Sequence, residues 1–344
     1  MRAVTFQEPG KVEVQDVPDP EIAESHEAIV EVETSAICGS DLHIYHGRVK
    51  IERGFTIGHE FVGTVSAVGD AVERVAVGDR VLGCFHTACG TCFHCLRSEY
   101  HRCERGRTFG HGAAMGDLQG AQAERLLVPH ADLTLRRTPE GMSAELAIFA
   151  GDVMGTGYHG IATAGVLPGD SVAVLGLGPV GLCAIQAAKA AGASCVLAVD
   201  SVPERLAMAQ SFGAIALHLQ EDDVKGAVRA ATGGRGADVV IDAVGDPRAL
   251  ALGISLARPA GTLCTLGVYA ERCEVHMGLA WIKGLTIHTG IANVIAHVDR
   301  VLSMLAEGAL DPAPLVSRHM SLDEAPEAYA IYDRREALKI LLTP

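Results

Sequence analysis

Apolar residues along this chain follow two rhythms. Over roughly the first 150 residues they come in short runs, among them "EAIVEVETSAIC", "FVGTVSAVG", "DRVLGCF" and "AERLLVP". The runs are rich in Val, Ile, Leu and Thr, with Gly, Asp and Pro between them, which is the texture of short strands and turns. They predict an irregular β domain with long loops. From about Ser171 the rhythm changes. "SVAVLG" is a short apolar run, and "VGLCAIQAAKAAG" is an Ala-rich helix that ends at a glycine. "SCVLAVD" is a second strand and "PERLAMAQSFG" a second helix, opened by Pro. The alternation continues through "AIALHL", "DDVKGAVRAATGG", "ADVVIDAVG", "RALALGISLARPAG", "TLCTLG" and "GLTIHTG". Strands and helices alternating at this length predict an α/β domain, a parallel sheet covered on both faces. The last fifty residues carry one clear helix, "HVDRVLSMLAEG", and close on a strand, "ALKILLTP". There is no internal repeat.

Length and charge narrow the picture. A chain of 344 residues fits two domains. With 49% hydrophobic and 20% charged residues it can bury a full core. No apolar run reaches the ~18 residues of a membrane span, and "MRAVTFQEPGKVEV" has no signal-peptide core. The expectation is a soluble, cytoplasmic protein without a membrane partner. A net charge of −14 argues against nucleic acid, which requires clustered Lys and Arg.

The turn after "SVAVL" reads Gly176-Leu177-Gly178-Pro179-Val180-Gly181. It follows an apolar strand, opens a helix, and is answered by Asp200 at the end of the next strand, 24 residues on. That is the dinucleotide fingerprint. The first glycine makes the tight turn, the second admits the pyrophosphate, and the third lets helix pack on sheet. The helix N-terminus offers N–H groups to the anion. Asp200 is expected to accept from the adenosine ribose and to repel a 2′-phosphate, favouring NAD over NADP. Arg205, five residues on, softens that preference.

Ten cysteines occur, and four of them, Cys89, Cys92, Cys95 and Cys103, form a C-x2-C-x2-C-x7-C pattern. In a reducing compartment such spacing indicates a metal more often than disulfides. A redox C-x-x-C pair would sit at a helix start near a βαβ unit, whereas this cluster lies in a polar loop. Four thiolates suit a closed tetrahedral zinc with no position for substrate. Cys84, Cys183, Cys195, Cys264 and Cys273 lie mostly in apolar runs and read as packed thiols. Three separated pieces remain: Cys38-Gly39-Ser40-Asp41-Leu42-His43, Gly58-His59-Glu60, and the stretch from Gly151-Asp152 to Thr156. Cys38, His59 and Asp152 supply one sulfur, one nitrogen and one oxygen, a donor set that catalytic zinc accepts. Spacing alone does not join them. A lone Cys at a strand end is usually core, and an Asp before a helix is usually an N-cap.

The elements "CGSDLH", "GHEFVG", "GDRV", "CGTCFHC" and "GLGPVG" stand in the order found in the zinc-dependent medium-chain alcohol dehydrogenases, and the chain resembles that family over essentially its full length. The resemblance implies a partly open, GroES-like β-barrel catalytic domain over 1–152 and 292–344. A Rossmann domain with a doubly wound, six-stranded parallel sheet interrupts it over 153–291, with the active site in the cleft between them. It implies a structural zinc lobe over 88–104, held by Cys89, Cys92, Cys95 and Cys103. Cys38, His59 and Asp152 become ligands of a second, catalytic zinc, where many members have a cysteine in place of Asp152. Glu60 lies beside that metal and ligates it in some relatives. Asp41 hydrogen-bonds the zinc-bound His59. Zinc then lowers the pKa of an alcohol oxygen, and hydride passes to the nicotinamide. Ser40 accepts the alcohol proton, and the family relay carries it through the cofactor ribose to His43.

By the same resemblance Thr156 and Val180 touch the nicotinamide, Gly267 and Val268 bind its carboxamide through the backbone, and Lys339 lies near the pyrophosphate. Gly39 replaces an arginine that some relatives direct at that phosphate. Phe85 is a candidate wall of the substrate pocket. "MGDLQGAQAERLLVPHADLTL" and "DVMGTGYHG" look like the formaldehyde and bacterial alcohol dehydrogenase branch. The expected substrate is a small primary or secondary alcohol with its aldehyde or ketone. A polyol or L-threonine dehydrogenase is the alternative. A non-catalytic, crystallin-like relative is the rival of another class, although such relatives usually lack the zinc ligands kept here. The family forms homo-oligomers, so a homotetramer is expected, with a homodimer as the other option.

Overall fold

The computed structural model describes residues 1–269 and 272–344. These divide into two compact units, Met1–Gly155 with Asn293–Pro344, and Thr156–Ala292.

The first unit is built on a seven-stranded mixed sheet. Six strands lie in the order Val316–Ser321, Lys339–Thr343, Ala28–Ile37, Glu60–Val68, Arg80–Gly83 and Leu135–Arg137, and Arg125–Val128 also pairs with Ala28–Ile37. Ala28–Ile37 is the hub, with inward-facing Ala28, Val30 and Val32 alternating with exposed or half-buried neighbours before its last four residues are wholly buried. Register here decides what meets what. Ala36 pairs with Glu60 and Ile37 with Ile340. The end of the hub strand is therefore flanked by the starts of two antiparallel neighbours, which places Cys38, Glu60 and Lys339 at one edge. A slip of one residue would turn each of these side chains to the opposite face. The turn Ile148–Gly151 closes on the same edge. Phe85 N–H donates to Gly151 O at 3.1 Å, and a Cβ on Gly151 would lie 2.2 Å from Gly83 O. Only glycine allows that approach, and it delivers Asp152.

The second unit carries a six-stranded parallel sheet in the order Ile215–His218, Cys195–Asp200, Ser171–Leu175, Ala237–Asp242, Ala257–Thr265 and Thr286–Thr289. The first strand in sequence lies mid-sheet and the chain winds outward both ways, so the crevice of this doubly wound arrangement opens after Leu175 and Asp242. Ser171–Leu175 is buried throughout, as a strand covered on both faces must be.

Two expectations require correction. The helix read through "RALALGISLARPAG" ends at Leu256, and Ala257–Thr265 is strand. Pro259 cannot continue a helix, and Ala260 takes a positive φ of 56°. The last fifty residues also hold a second helix, Ala325–Asp333, with Pro326 in its first turn. Its Ala325, Ala328, Tyr329, Ile331 and Tyr332 are buried in a core shared with Val4, Ile37, Ile44 and Ile340. Among the described residues, no helix is long and apolar enough to cross a membrane.

Candidate active site and metal centres

Cys38, His59, Glu60 and Asp152 meet in the first unit, all buried, with one ligand atom from each within 4.8 Å of all the others. Asp152 Oδ2 is the hub. It accepts from Cys38 Sγ at 3.2 Å and stands 3.1 Å from His59 Nε2. Ser40 Oγ lies 3.2 Å from the same His59 nitrogen. The other ring nitrogen, Nδ1, is 3.1 Å from Asp41 Oδ1, close in distance but short of hydrogen-bond alignment. Asp41 Oδ2 accepts the Cys38 backbone N–H at 2.9 Å. An Nδ1–H facing Asp41 leaves Nε2 turned towards the cluster, the tautomer a metal-binding histidine needs.

Electrostatics fit a cation at this point. Burial, then the charges of Asp152 and Glu60, push the Cys38 thiol up to about 11. Burial opposes ionisation of Asp152, yet His59 and then Lys339 hold its carboxyl well below the usual range. The anionic donors resist sharing this space unless positive charge lies among them. Glu60 Oε2 is buried without a hydrogen-bond partner among the described residues. One thiol, one imidazole and carboxylate oxygens form the mixed donor set of a catalytic zinc.

Lys339 stands elsewhere than expected. It is fully buried, and its ammonium is paired with Glu60 Oε1 while donating to Ile37 O at 3.2 Å. Its charge is committed to the ligand cluster, which corrects its assignment to a cofactor pyrophosphate. Phe85 stands edge-on to His59, ring centroids 6.3 Å apart. His43 is half-buried. Its Nδ1 has no hydrogen-bond partner among the described residues, and burial, then Arg48 and His46, lower its pKa.

The four-cysteine cluster is a second centre in the same unit. Cys89 and Cys95 sulfurs are 4.0 Å apart, and those of Cys92 and Cys103 are 3.9 Å apart. Sulfurs about 2.3 Å from one tetrahedral centre lie about 3.8 Å from each other, so these free thiols are spaced for a single zinc. Backbone N–H groups of Cys89 and Arg105 point at Cys103 Sγ, at 3.2 and 3.4 Å. Burial works against the Cys89 thiolate, but N–H and hydroxyl donors from Thr91 and the Cys92 N–H bring its pKa down to about 6. Of the cysteines read as packed thiols, Cys84, Cys183 and Cys264 are buried and Cys195 and Cys273 half-buried.

In the second unit the glycine turn has the required shape. Gly176 adopts φ +83°, and a Cβ on Gly181 would stand 1.9 Å from Gly176 O. A Cβ on Gly178 would meet nothing within 4 Å, which leaves open the space a pyrophosphate would fill. Gly178 is the N-cap of Pro179–Ala190 and offers no side-chain cap, so the first-turn N–H groups stay available. Asp200 accepts from the backbone N–H groups of Leu177, Ser201 and Val202 at 2.6, 2.7 and 3.0 Å. Arg205 Nη1 is 3.9 Å from its Oδ2. The loop after Ala257–Thr265 presses on the loop after Ala237–Asp242, where a Cβ on Gly267 would lie 2.1 Å from Gly245 N. Val268 is exposed, Val180 half-buried and Thr156 buried.

Three residues around the first centre escaped the sequence. His111 lies 5.1 Å from His59 by ring centroid and is tied through Nδ1 to Phe109 O at 2.8 Å. Gln122 and Tyr329 lie behind Asp41. Gln122 lies within "MGDLQGAQAERLLVPHADLTL", but nothing in that stretch assigns it a role, and no spacing marks His111 or Tyr329.

Comparisons agree with the geometry. Residues 24–139 match the alcohol dehydrogenase GroES-like domain and 179–307 the zinc-binding dehydrogenase domain. Zinc-type alcohol dehydrogenase B of Aspergillus flavus is 36% identical over 99% of this chain and 81% of its own length. The glutathione-independent formaldehyde dehydrogenase of Pseudomonas aeruginosa strain PAO1 is 32% identical over 100% of this chain and 97% of its own. The structure of alcohol dehydrogenase TADH from Thermus sp. ATN1 superposes with a TM-score of 0.97 at 45% identity, covering 100% of this chain and 99% of that one. The chain belongs to the zinc-dependent medium-chain alcohol dehydrogenase family. It is an α/β oxidoreductase with a GroES-like domain and a Rossmann domain.

Proposed function

We propose that the protein is an NAD-dependent zinc alcohol dehydrogenase that interconverts a small primary or secondary alcohol with its aldehyde or ketone. The supporting observation is the buried convergence of Cys38, His59, Glu60 and Asp152 beside Ser40. The first unit is the catalytic domain and the second the NAD-binding domain. Cys38, His59 and Asp152 hold the catalytic zinc, with Glu60 in reserve, and the four-cysteine lobe holds a structural one. Zinc bound among these ligands supplies a Lewis acid that lowers the pKa of an alcohol hydroxyl. The protein supplies the rest. Ser40 Oγ, within hydrogen-bond distance of a ligand nitrogen, accepts the alcohol proton. His43, neutral at pH 7 with a free Nδ1, takes it onward. Phe85 walls the substrate side. The Gly176–Gly181 turn receives the pyrophosphate, Asp200 the adenosine ribose, and Thr156, Val180, Gly267 and Val268 the nicotinamide end.

The test is direct. Purified protein should carry two zinc ions per chain and reduce NAD with short-chain primary and secondary alcohols, with kcat/KM for NAD above that for NADP. Equal values for the two cofactors would overturn the role of Asp200. A preference for polyols or L-threonine across a substrate panel would move the assignment to that branch.

A cytoplasmic homotetramer, with a homodimer as the other state, completes the proposal. Strand Thr286–Thr289 is an open sheet edge, and beside it in sequence Met277, Trp281 and Ile282 are 64%, 80% and 75% exposed. An open sheet edge and exposed large apolar side chains each favour self-association. Light scattering on a sizing column should report a mass at least twice 36.0 kDa, and a monomer would refute it.

A further inference from the structure

Behind the catalytic cluster lies a second layer of polar side chains, itself fully buried. Asp41 uses one oxygen on each side. Oδ1 faces His59 Nδ1, while Oδ2 accepts from Cys38 N at 2.9 Å and from Gln122 Nε2 at 3.4 Å. Gln122 Nε2 also donates to Ala36 O at 3.1 Å, and its Oε1 accepts the Tyr329 hydroxyl at 2.9 Å. Gln122, Asp41 and Tyr329 are each 0% exposed. The Tyr329 ring is stacked on Tyr45, centroids 5.5 Å apart.

The chemistry allows one orientation of the amide. Reversed, its oxygen would face two acceptors, Ala36 O and Asp41 Oδ2, among fully buried groups, at the cost of two repulsive contacts. The Tyr329 hydroxyl anchors the carbonyl end and so directs the NH2 end at Asp41. Gln122 also packs against the backbone that carries His59. Gly58 adopts φ +89°, and a Cβ there would lie 2.4 Å from Gln122 Cγ. The residue before His59 is thus shaped to admit the Gln122 stem, and the chain closes with Ala121 N–H donating to Gly58 O at 2.9 Å.

We propose that Tyr329 and Gln122 are positioning residues of the catalytic metal centre. They hold the Asp41 carboxylate so that one oxygen fixes His59 in its Nδ1–H tautomer and the other fixes the Cys38 backbone, orienting two ligands through one buried relay. The proposal rests on the assignment of Cys38, His59 and Asp152 as zinc ligands.

The experiment follows zinc release from the holoenzyme into a chromogenic chelator, which should show one phase per zinc. Loss of a partner outside the ligand shell typically costs about 10–100-fold in metal affinity. Tyr329→Phe and Gln122→Met should each speed the catalytic-site phase about 10-fold and leave the four-cysteine phase within about twofold of the parent. The double variant should release zinc no faster than Gln122→Met alone, because both act through one amide. Cobalt substituted at the catalytic site should show altered visible bands in Tyr329→Phe. That variant removes a single oxygen and keeps the ring that stacks on Tyr45, and a parent-like four-cysteine phase reports that the unit is folded. Parent-like release in Tyr329→Phe, or equal acceleration of both phases, would overturn the proposal. A parent with zinc only in the cysteine lobe would instead overturn the ligand assignment, and the proposal with it.

Discussion

Replacing Asp152 with alanine is expected to remove one of two zinc ions per chain and to lower kcat/KM about a thousandfold. Asp152 Oδ2 is the atom on which the cluster converges, 3.2 Å from Cys38 Sγ and 3.1 Å from His59 Nε2. Without it the site keeps one sulfur, one nitrogen and the second oxygen of a Glu60 whose first oxygen is committed to Lys339. A Lewis acid at the reacting oxygen is worth several kcal/mol, and each ~1.4 kcal/mol is a decade in rate. The four-cysteine lobe shares no ligand with this site, so metal analysis should fall to one zinc and no further. Asp152→Cys restores an anionic donor and should recover zinc binding where alanine does not. An alanine variant with two zinc ions and turnover near that of the parent would remove Asp152 from the ligand set.

Contrast among the three centres shows what a sequence makes visible. The nucleotide turn was legible because its parts are contiguous and each glycine answers a local steric demand, as the 1.9 Å approach at Gly181 illustrates. The cysteine lobe was legible because its four ligands lie within fifteen residues. Cys38, His59 and Asp152 span more than a hundred residues, and what joins them is strand register, Ala36 opposite Glu60 and Ile37 opposite Ile340. Their pairing came from family resemblance, since no periodicity encodes it. The layer behind them left no trace. Tyr329 lies on the helix "APEAYAIYD", whose Pro in the first turn is a start signal, but nothing along it marks the tyrosine. Gln122 lies in an irregular approach to a four-residue strand. Lys339 misled for a related reason. A basic residue near the chain end suggests a surface or phosphate contact, but it opens a strand whose first four residues are all buried. Buried polar partners are a property of the folded arrangement, and only their cost if left unpaired constrains the sequence.

That cost sets the second large expectation. Lys339→Met keeps the apolar stem of the side chain and deletes its charged end. Glu60, fully buried, would lose the ammonium it is paired with, leaving His59 as the cationic group that still lowers its pKa. Burial already pushes the Glu60 carboxyl up against the pull of Lys339. In the parent, burial works against the Lys339 ammonium too, but the charges of Glu60 and Cys38 hold its pKa above the ordinary value. Each charge favours ionisation of the other group. Breaking a buried ion pair from one side typically costs about 3–5 kcal/mol, because a charge is left in low dielectric. Equilibrium urea unfolding of Lys339→Met should show a loss of that size. The double variant Lys339→Met with Glu60→Gln should recover much of it, since neither charge then remains, and this non-additivity separates an ion pair from a packing defect. The comparison belongs in zinc-free protein, where no metal can take over the orphaned carboxylate. In the zinc-loaded protein the loss should be smaller if Glu60 turns its unpartnered Oε2 to the metal. A single variant that loses less than about 1 kcal/mol, the range of an exposed pair, would show that the Glu60–Lys339 contact does not bear on the stability of the site.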